Sequence, residues 1–246
     1  MKALMKMTAV EMKLFFRDPQ SLFWTFLFPF ITIYLLGFLF GGSQVGNVAY
    51  KQLLIPNMMA LTLTSTSLFI LGMRIVNYKE SGLLRTYQIT PLGAGRMIGA
   101  FCIMGLVVFL FSMLIAYLSG WLLYGIRTPV HIIGFWGATL LCTLGMFPLG
   151  ILLTGFSSTM EGAAGIGTLA LNVQLLLSGG VIPYQLLPLP LPLKILAKCL
   201  PLHYVNDLLT AEWTGQSVNF LSLDVGILAG MAVLFSVLSI RFFRWS

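Results

Sequence analysis

Six apolar stretches divide this chain, and each approaches or exceeds the roughly 20 residues that cross a bilayer as a helix. They cover residues 22–40, 53–73, 97–124, 132–156, 162–180 and 219–240. The remaining sequence carries too little charge to clothe a soluble protein. Of 246 residues, 58% are hydrophobic and 9% charged, with a mean hydropathy of +0.95. A soluble domain of this length buries one core beneath a charged shell. Here the bilayer must solvate most of the surface. The pattern predicts an all-α integral membrane protein, a single transmembrane domain over residues 1–246. The fifth stretch is short and Gly-rich. The fourth contains Pro148, which a membrane helix tolerates when neighbours satisfy the freed carbonyl.

The basic residues are unevenly distributed. With six spans and a cytoplasmic N-terminus, the inner segments carry Lys2, Lys6, Lys13, Arg17, Arg74, Lys79, Arg85, Arg96, Arg241 and Arg244. The outer ones carry Lys51, Arg127, Lys194 and Lys198. Ten against four is the positive-inside bias. It puts both termini in the cytoplasm, and it reads the net charge of +7 as topology rather than as a nucleic-acid interface. No compact apolar core with a small-residue cleavage site follows the N-terminal charges. The first span is therefore expected to act as the insertion signal.

Residues 1–18 read as an amphipathic helix lying on the membrane. At about 100° per residue, Lys2, Lys6, Lys13 and Arg17 share an arc of roughly 60°. Leu4, Met5, Met7, Met12, Leu14, Phe15 and Phe16 fill most of the rest. A basic stripe on an apolar helix suits anionic headgroups. Asp18-Pro19 then breaks the helix. Glu11 falls about opposite the basic stripe, within the apolar face. It either snorkels or pairs with a basic group of a neighbouring element, Arg74 or Arg85 being the first choices. Glu11 and Arg17 are the residues expected to brace this helix.

The spans themselves carry little chemistry. Ion-driven transporters keep an ionisable group near the midplane. Glu11, Asp18, Glu80, Glu161, Asp207 and Glu212 all fall at expected ends or loops. Asp224 alone enters an apolar run, about a turn inside the last span. His131 and His203 have no second ligand at metal spacing. Cys102 and Cys142 lie in spans and Cys199 outside, so a structural disulfide is not expected. Ser178-Gly179-Gly180 lacks the flanking pattern of an intramembrane serine nucleophile. No GxxxxGK[ST] loop is present. Thr168, Asn172 and Gln174 are polar within the fifth run. Interhelical hydrogen bonds or a substrate path are the two readings, and Asn172, Gln174 and Asp224 are the candidates. Gly162, Ala163, Ala164, Gly165 and Gly167 form a small-residue patch suited to close helix contact.

Residues 181–215 hold five of the eleven prolines: Pro183, Pro188, Pro190, Pro192 and Pro201. No straight span carries that load. The segment reads as a pair of short helices, one between Pro192 and Pro201 and one over residues 204–212. They either dip into the outer leaflet and return or form a buried outer cap over the bundle.

The segment RIVNYKESGLLRTYQITPLGAGR, residues 74–96, packs five charged side chains between two apolar runs. By itself it reads as a solvated loop or as a docking element. Lys79 and Arg85 offer salt bridges, and Tyr78, Leu83, Leu84 and Tyr87 apolar anchors. Thr90-Pro91 has the chemistry to restart a helix.

Taken in order, three stretches resemble the permease subunit of type-2 ATP-binding-cassette (ABC) exporters, over nearly the whole chain. FFRDPQSLFWTFLFPF (residues 15–30) is similar to that family's approach to its first span. KESGLLRTYQITPL (residues 79–92) resembles its signature after the second. LLLSGGVIPYQLLP with LPLKILAKCLPLHYVNDLL resembles its broken exit from the fifth. The resemblance implies a cytoplasmic coupling helix, mapping to residues 76–87, with Tyr78, Lys79, Glu80, Leu83, Leu84, Arg85 and Tyr87 contacting a separate ABC ATPase. It implies a second permease copy, identical or related. ATP and Mg would sit on the ATPase, with no cofactor or metal on this chain. The loop around residues 157–161 offers that ATPase little beyond Glu161.

The expected function is export of a hydrophobic or amphipathic compound (drug, antibiotic or lipid-like) across the inner or plasma membrane of a bacterium or archaeon. The alternatives are a polysaccharide or glycolipid exporter permease and an ATP-independent secondary transporter. The latter requires a deep ionisable site, against which the scarcity of midplane acids weighs. An intramembrane enzyme would depend on Ser178 or His203.

Overall fold

The computed structural model describes residues 2–45, 48–84, 93–126, 129–178, 190–215 and 223–242. The chain begins with α1 (Lys2–Phe16). After Asp18, α2 (Pro19–Leu22), a wider π turn (Phe23–Leu27) and α3 (Phe28–Phe40) follow without a break. A minimal antiparallel hairpin, β1 (Gln44–Val45) with β2 (Val48–Ala49), pairs Gln44 with Ala49 and Val45 with Val48. It leads into α4 (Tyr50–Ser65), a second π segment (Thr66–Gly72) and α5 (Met73–Glu80), again continuous. Then come α6 (Gly93–Tyr124), α7 (Ile132–Gly155), α8 (Met160–Leu177), α9 (Leu191–Lys198), α10 (Pro201–Thr214) and α11 (Leu223–Phe242).

Among the described residues, five runs are long and apolar enough to cross a membrane: Tyr50–Glu80, Gly95–Tyr124, Ile132–Gly155, Met160–Leu177 and Leu223–Arg241. The apolar helix in the expected first span, Thr25–Phe40, is shorter. The architecture is all-α apart from the hairpin.

The second run departs most from the sequence reading, which ended a span at residue 73. The helix continues to Glu80. Hydropathy falls at Arg74, but Arg, Lys and Glu are good helix formers, and Ile75 and Val76 are fully buried on the neighbouring helices. At about 1.5 Å per residue the run from Tyr50 extends about 46 Å, well beyond a hydrocarbon core of about 30 Å. It ends at Ser81-Gly82, where Gly82 takes φ +72°, a left-handed turn that glycine makes without penalty. The coupling helix expected over residues 76–87 is therefore not one helix. Its first part is the foot of the second run, and helix resumes only at Leu83.

The core forms where α4 and its π segment meet α6, α7 and α10. Close approach is built on glycine. A methyl group at Gly150 would collide with Ser67, and one at Gly72 with Thr154. The Ser67 hydroxyl donates to the Met146 carbonyl across this seam. Ser112 likewise donates to the Thr25 carbonyl (2.7 Å) and Tyr124 to that of Tyr34 (2.7 Å). Buried Thr64, Thr139, Thr143 and Thr154 return their hydroxyls to carbonyls of their own helices, which satisfies a polar group without needing a partner helix.

The two short helices of the Pro-rich segment have different surroundings. On α9 only Ala197 is buried. α10 is packed into the bundle: Leu202, Val205, Leu208, Leu209 and Trp213 are buried against α4, α7 and α11. Trp213 meets the rings of Phe135 (5.4 Å) and Tyr117 (6.2 Å) edge-on.

Candidate coupling site at the foot of the second helix

α1 lies against the start of α6, burying Met7 and Phe15. The face opposite its exposed basic residues Lys6, Lys13 and Arg17 is thus covered by protein. Glu11 sits within that covered face at 1% exposure. An unpaired carboxylate there would cost several kcal/mol. It is compensated by two groups from α5. Arg74 Nε lies 3.2 Å from Glu11 Oε2, and the Tyr78 hydroxyl donates to Oε1. The Arg74 contact is an ion pair rather than an aligned hydrogen bond, since Oε2 accepts none. The Tyr78 ring packs edge-on against Phe101 of α6 at 5.1 Å, joining all three elements. Of the two partners suggested for Glu11, Arg74 is the one in place. Arg17 is exposed beyond the end of α1.

Glu80 points to another helix. The Met160 N–H, in the first turn of α8, donates to Glu80 Oε2 at 2.7 Å. Thr159 caps the same turn by accepting from the Gly162 N–H at 3.2 Å. These satisfy two amides that every helix start leaves open, and Glu80 and Glu161 add negative charge where the helix dipole favours it. The Thr-x-Glu pattern at 159–161 could have signalled this cap; nothing local signals Glu80 as its partner.

Leu83 and Leu84 are adjacent but not alike. Leu84 is 1% exposed and belongs to the chain's own core, whereas Leu83 is 44% exposed. Lys79 is partly exposed and Glu80 exposed. Lys79 and Leu83 are therefore open to a partner, and Leu84 is committed to the chain's own core. Arg85, Tyr87 and Thr90-Pro91 lie outside the described residues.

The remaining candidates are scattered. Asn172 is exposed and donates to the Thr168 carbonyl of its own helix (2.8 Å), not across helices. Gln174 is buried. Asp224 is exposed in the first described turn of α11, and residues 219–222, where the sequence reading begins the last span, lie outside the described residues. Glu212, expected at an end, is buried near the start of α7, with Oε2 3.6 Å from His131 Nδ1. Cys102, Cys142 and Cys199 are free thiols.

The foot of one long helix is thus clamped to a surface helix and to the start of another span, with the exposed Leu83 corner beyond it. Residues 2–212 match the ABC-2 type transporter family, and the chain belongs to that family. It is thus an ABC transporter permease, a multi-pass membrane protein whose family implies an ATPase partner. It is also 26% identical over 192 residues to a Bacillus subtilis (strain 168) protein named "Putative transport permease YvfS", covering 76% of this chain and 77% of that one.

Proposed function

We propose that this permease exports a hydrophobic or amphipathic compound, of drug, antibiotic or lipid-like character, using ATP hydrolysed with Mg on a separate cytoplasmic ABC ATPase. The observation that carries this reading is the double anchoring of the second helix foot. Arg74 and Tyr78 tie it to α1 through Glu11, and Glu80 ties it to α8. A force on the Leu83 corner would thus move three elements together. The shorter apolar helix ending at Phe40 becomes a sixth crossing when its π turn and Pro19–Leu22 are included. Its 22 residues from Pro19 measure about 33 Å at about 1.5 Å each. Both termini then face the cytoplasm of the inner or plasma membrane. A second permease copy covers α8, whose Gly165, Leu169 and Leu176 are exposed.

The test is reconstitution. Tagged permease should capture an ABC ATPase, and the complex in liposomes should move a fluorescent amphiphile only with ATP and Mg. Transport by the permease alone on an ion gradient would sink the proposal.

A further inference from the structure

α3, α4 and α6 meet at the end of the bundle opposite Glu80, where α3 ends at Phe40, α4 starts at Tyr50 and α6 ends at Tyr124. They share a groove of about 320 Å³, with Lys51 and Tyr124 among its lining and Phe38 and Leu123 on its apolar side. Glycine makes the room. A side chain at Gly37 would overlap the Tyr124 ring, and one at Gly41 would meet the Lys51 stem. The Tyr124 hydroxyl donates to the Tyr34 carbonyl at 2.7 Å, which fixes the ring. Lys51 Nζ stands 5.4 Å from the ring centre, within cation–π range. The lysine is thus seated in the groove rather than trailing in solvent. Its charge has no counterpart in the chain. All seven Asp and Glu side chains lie among the described residues. The ion pairs there join Glu11, Glu212 and Asp207 to Arg74, His131 and His203, and Lys51 forms none.

An ammonium with only a ring beside it gains most from an anion, which accepts its hydrogen bonds and neutralises it. The surroundings select which anion. Tyr34 and Trp121 are each 53% exposed at this end, and such rings gather at headgroup depth. Phe38, beside the cation, is 74% exposed. A soluble anion would leave that apolar surface unused. A phospholipid covers both, with its phosphate on Lys51 and a chain along Phe38 and Leu123. The groove's volume is at the low end for ligand pockets, about 300–1,000 Å³, and takes a headgroup while the chains stay in the bilayer. A choline headgroup would bring a second cation towards Lys51. We propose that the groove binds the phosphate of an anionic phospholipid, such as phosphatidylglycerol, from the leaflet at this end. Lys51 stands at the head of the helical run whose foot Glu11 grips, so the lipid would hold that rod's other end. The inference is independent of what is exported.

The test is native mass spectrometry of the purified permease, titrated with phosphatidylglycerol or with phosphatidylcholine of the same acyl chains. The first phosphatidylglycerol should bind about fivefold more tightly, the scale of one lysine against an anionic surface. Lys51→Gln should abolish that preference and leave phosphatidylcholine binding unchanged. Lys194→Gln, which removes an exposed lysine of α9, should keep the preference. Glycerol 3-phosphate in excess should not displace the lipid. If Lys51→Gln does not fold, the wild type still decides. Phosphatidylglycerol carrying a photoreactive group near the head of one chain should then label the peptides holding Phe38 or Leu123. Equal affinity of the wild type for the two lipids overturns the inference, as does an intact preference in folded Lys51→Gln or its loss in Lys194→Gln. Label confined to other helices also overturns it, and displacement by glycerol 3-phosphate would make the groove a site for soluble phosphates instead.

Discussion

Glu11 and Arg74 form an ion pair, Oε2 to Nε at 3.2 Å, that holds the surface helix α1 to the foot of the second long helix. The carboxylate is almost wholly buried and the guanidinium is 22% exposed. Removing one partner is therefore not equivalent to removing both. Arg74→Ala should destabilise the protein by about 3–5 kcal/mol, because it strands a buried charge. Glu11→Gln keeps the Tyr78 contact and should cost about 1–2 kcal/mol. Glu11→Leu with Arg74→Leu should cost less than Arg74→Ala. Thermal unfolding in detergent measures all three. A wild-type melting curve for Arg74→Ala would remove the pair from the account.

Leu83 and Leu84 should separate docking from folding. Leu83→Asp places a charge on an exposed corner and should leave the stability within about 0.5 kcal/mol of wild type, while ATPase capture fails. Leu84→Asp buries a charge and should lower stability by several kcal/mol before docking can be tested. Glu80→Arg should weaken the start of α8 and uncouple hydrolysis from transport, since it removes an acceptor and places positive charge against a helix N-terminus. Pull-down and ATPase assays on one set of preparations decide this. Capture by Leu83→Asp at wild-type level would relocate the docking surface.

Gly150→Ala should cost about 3 kcal/mol or more by overpacking, since its methyl group would meet the backbone carbonyl of Ser67 as well as its hydroxyl. Gly165→Ala, where the added carbon meets nothing within 4 Å among the described residues, should be neutral in the monomer. A loss confined to dimer assembly for Gly165→Ala would locate the second copy on α8. Size exclusion with light scattering distinguishes the two cases.

Gly134→Ala should displace the Glu212 carboxylate, which occupies the space a side chain at Gly134 would need. Because His131 and Val130 also bond through their backbones to Glu212 and Trp213, α10 should loosen at this end. A lower melting temperature with increased proteolysis between α10 and α11 is expected. Unchanged proteolysis would mean α10 is held by its apolar face alone.

Much of this was legible in the sequence, and the failures have physical causes. Apolar runs located the long helices because bilayer thickness sets their length. Glu11 announced a partner by standing on an apolar face. The second helix was cut short because hydropathy stops at Arg74 while helix propensity does not. Glu80 and Met160 meet only in three dimensions. Asn172 and Gln174 looked alike, yet two residues of helical rotation exposed one and buried the other. The prolines announced broken helices but not that α10 would enter the bundle, since a short apolar helix satisfies lipid and protein equally.

The π segment at Thr66–Gly72 has a consequence for direction. A π turn holds one more residue than the α turn it replaces, and each residue turns a helix by about 100°. The segment therefore sets the bearing of everything below it relative to α4. Were it tightened into an ordinary α turn, the side carrying Arg74 and Tyr78 would swing away from Glu11 while α4 kept its seat. One residue in the middle of the rod works as a rotary joint, and the grip on the surface helix depends on where it is set.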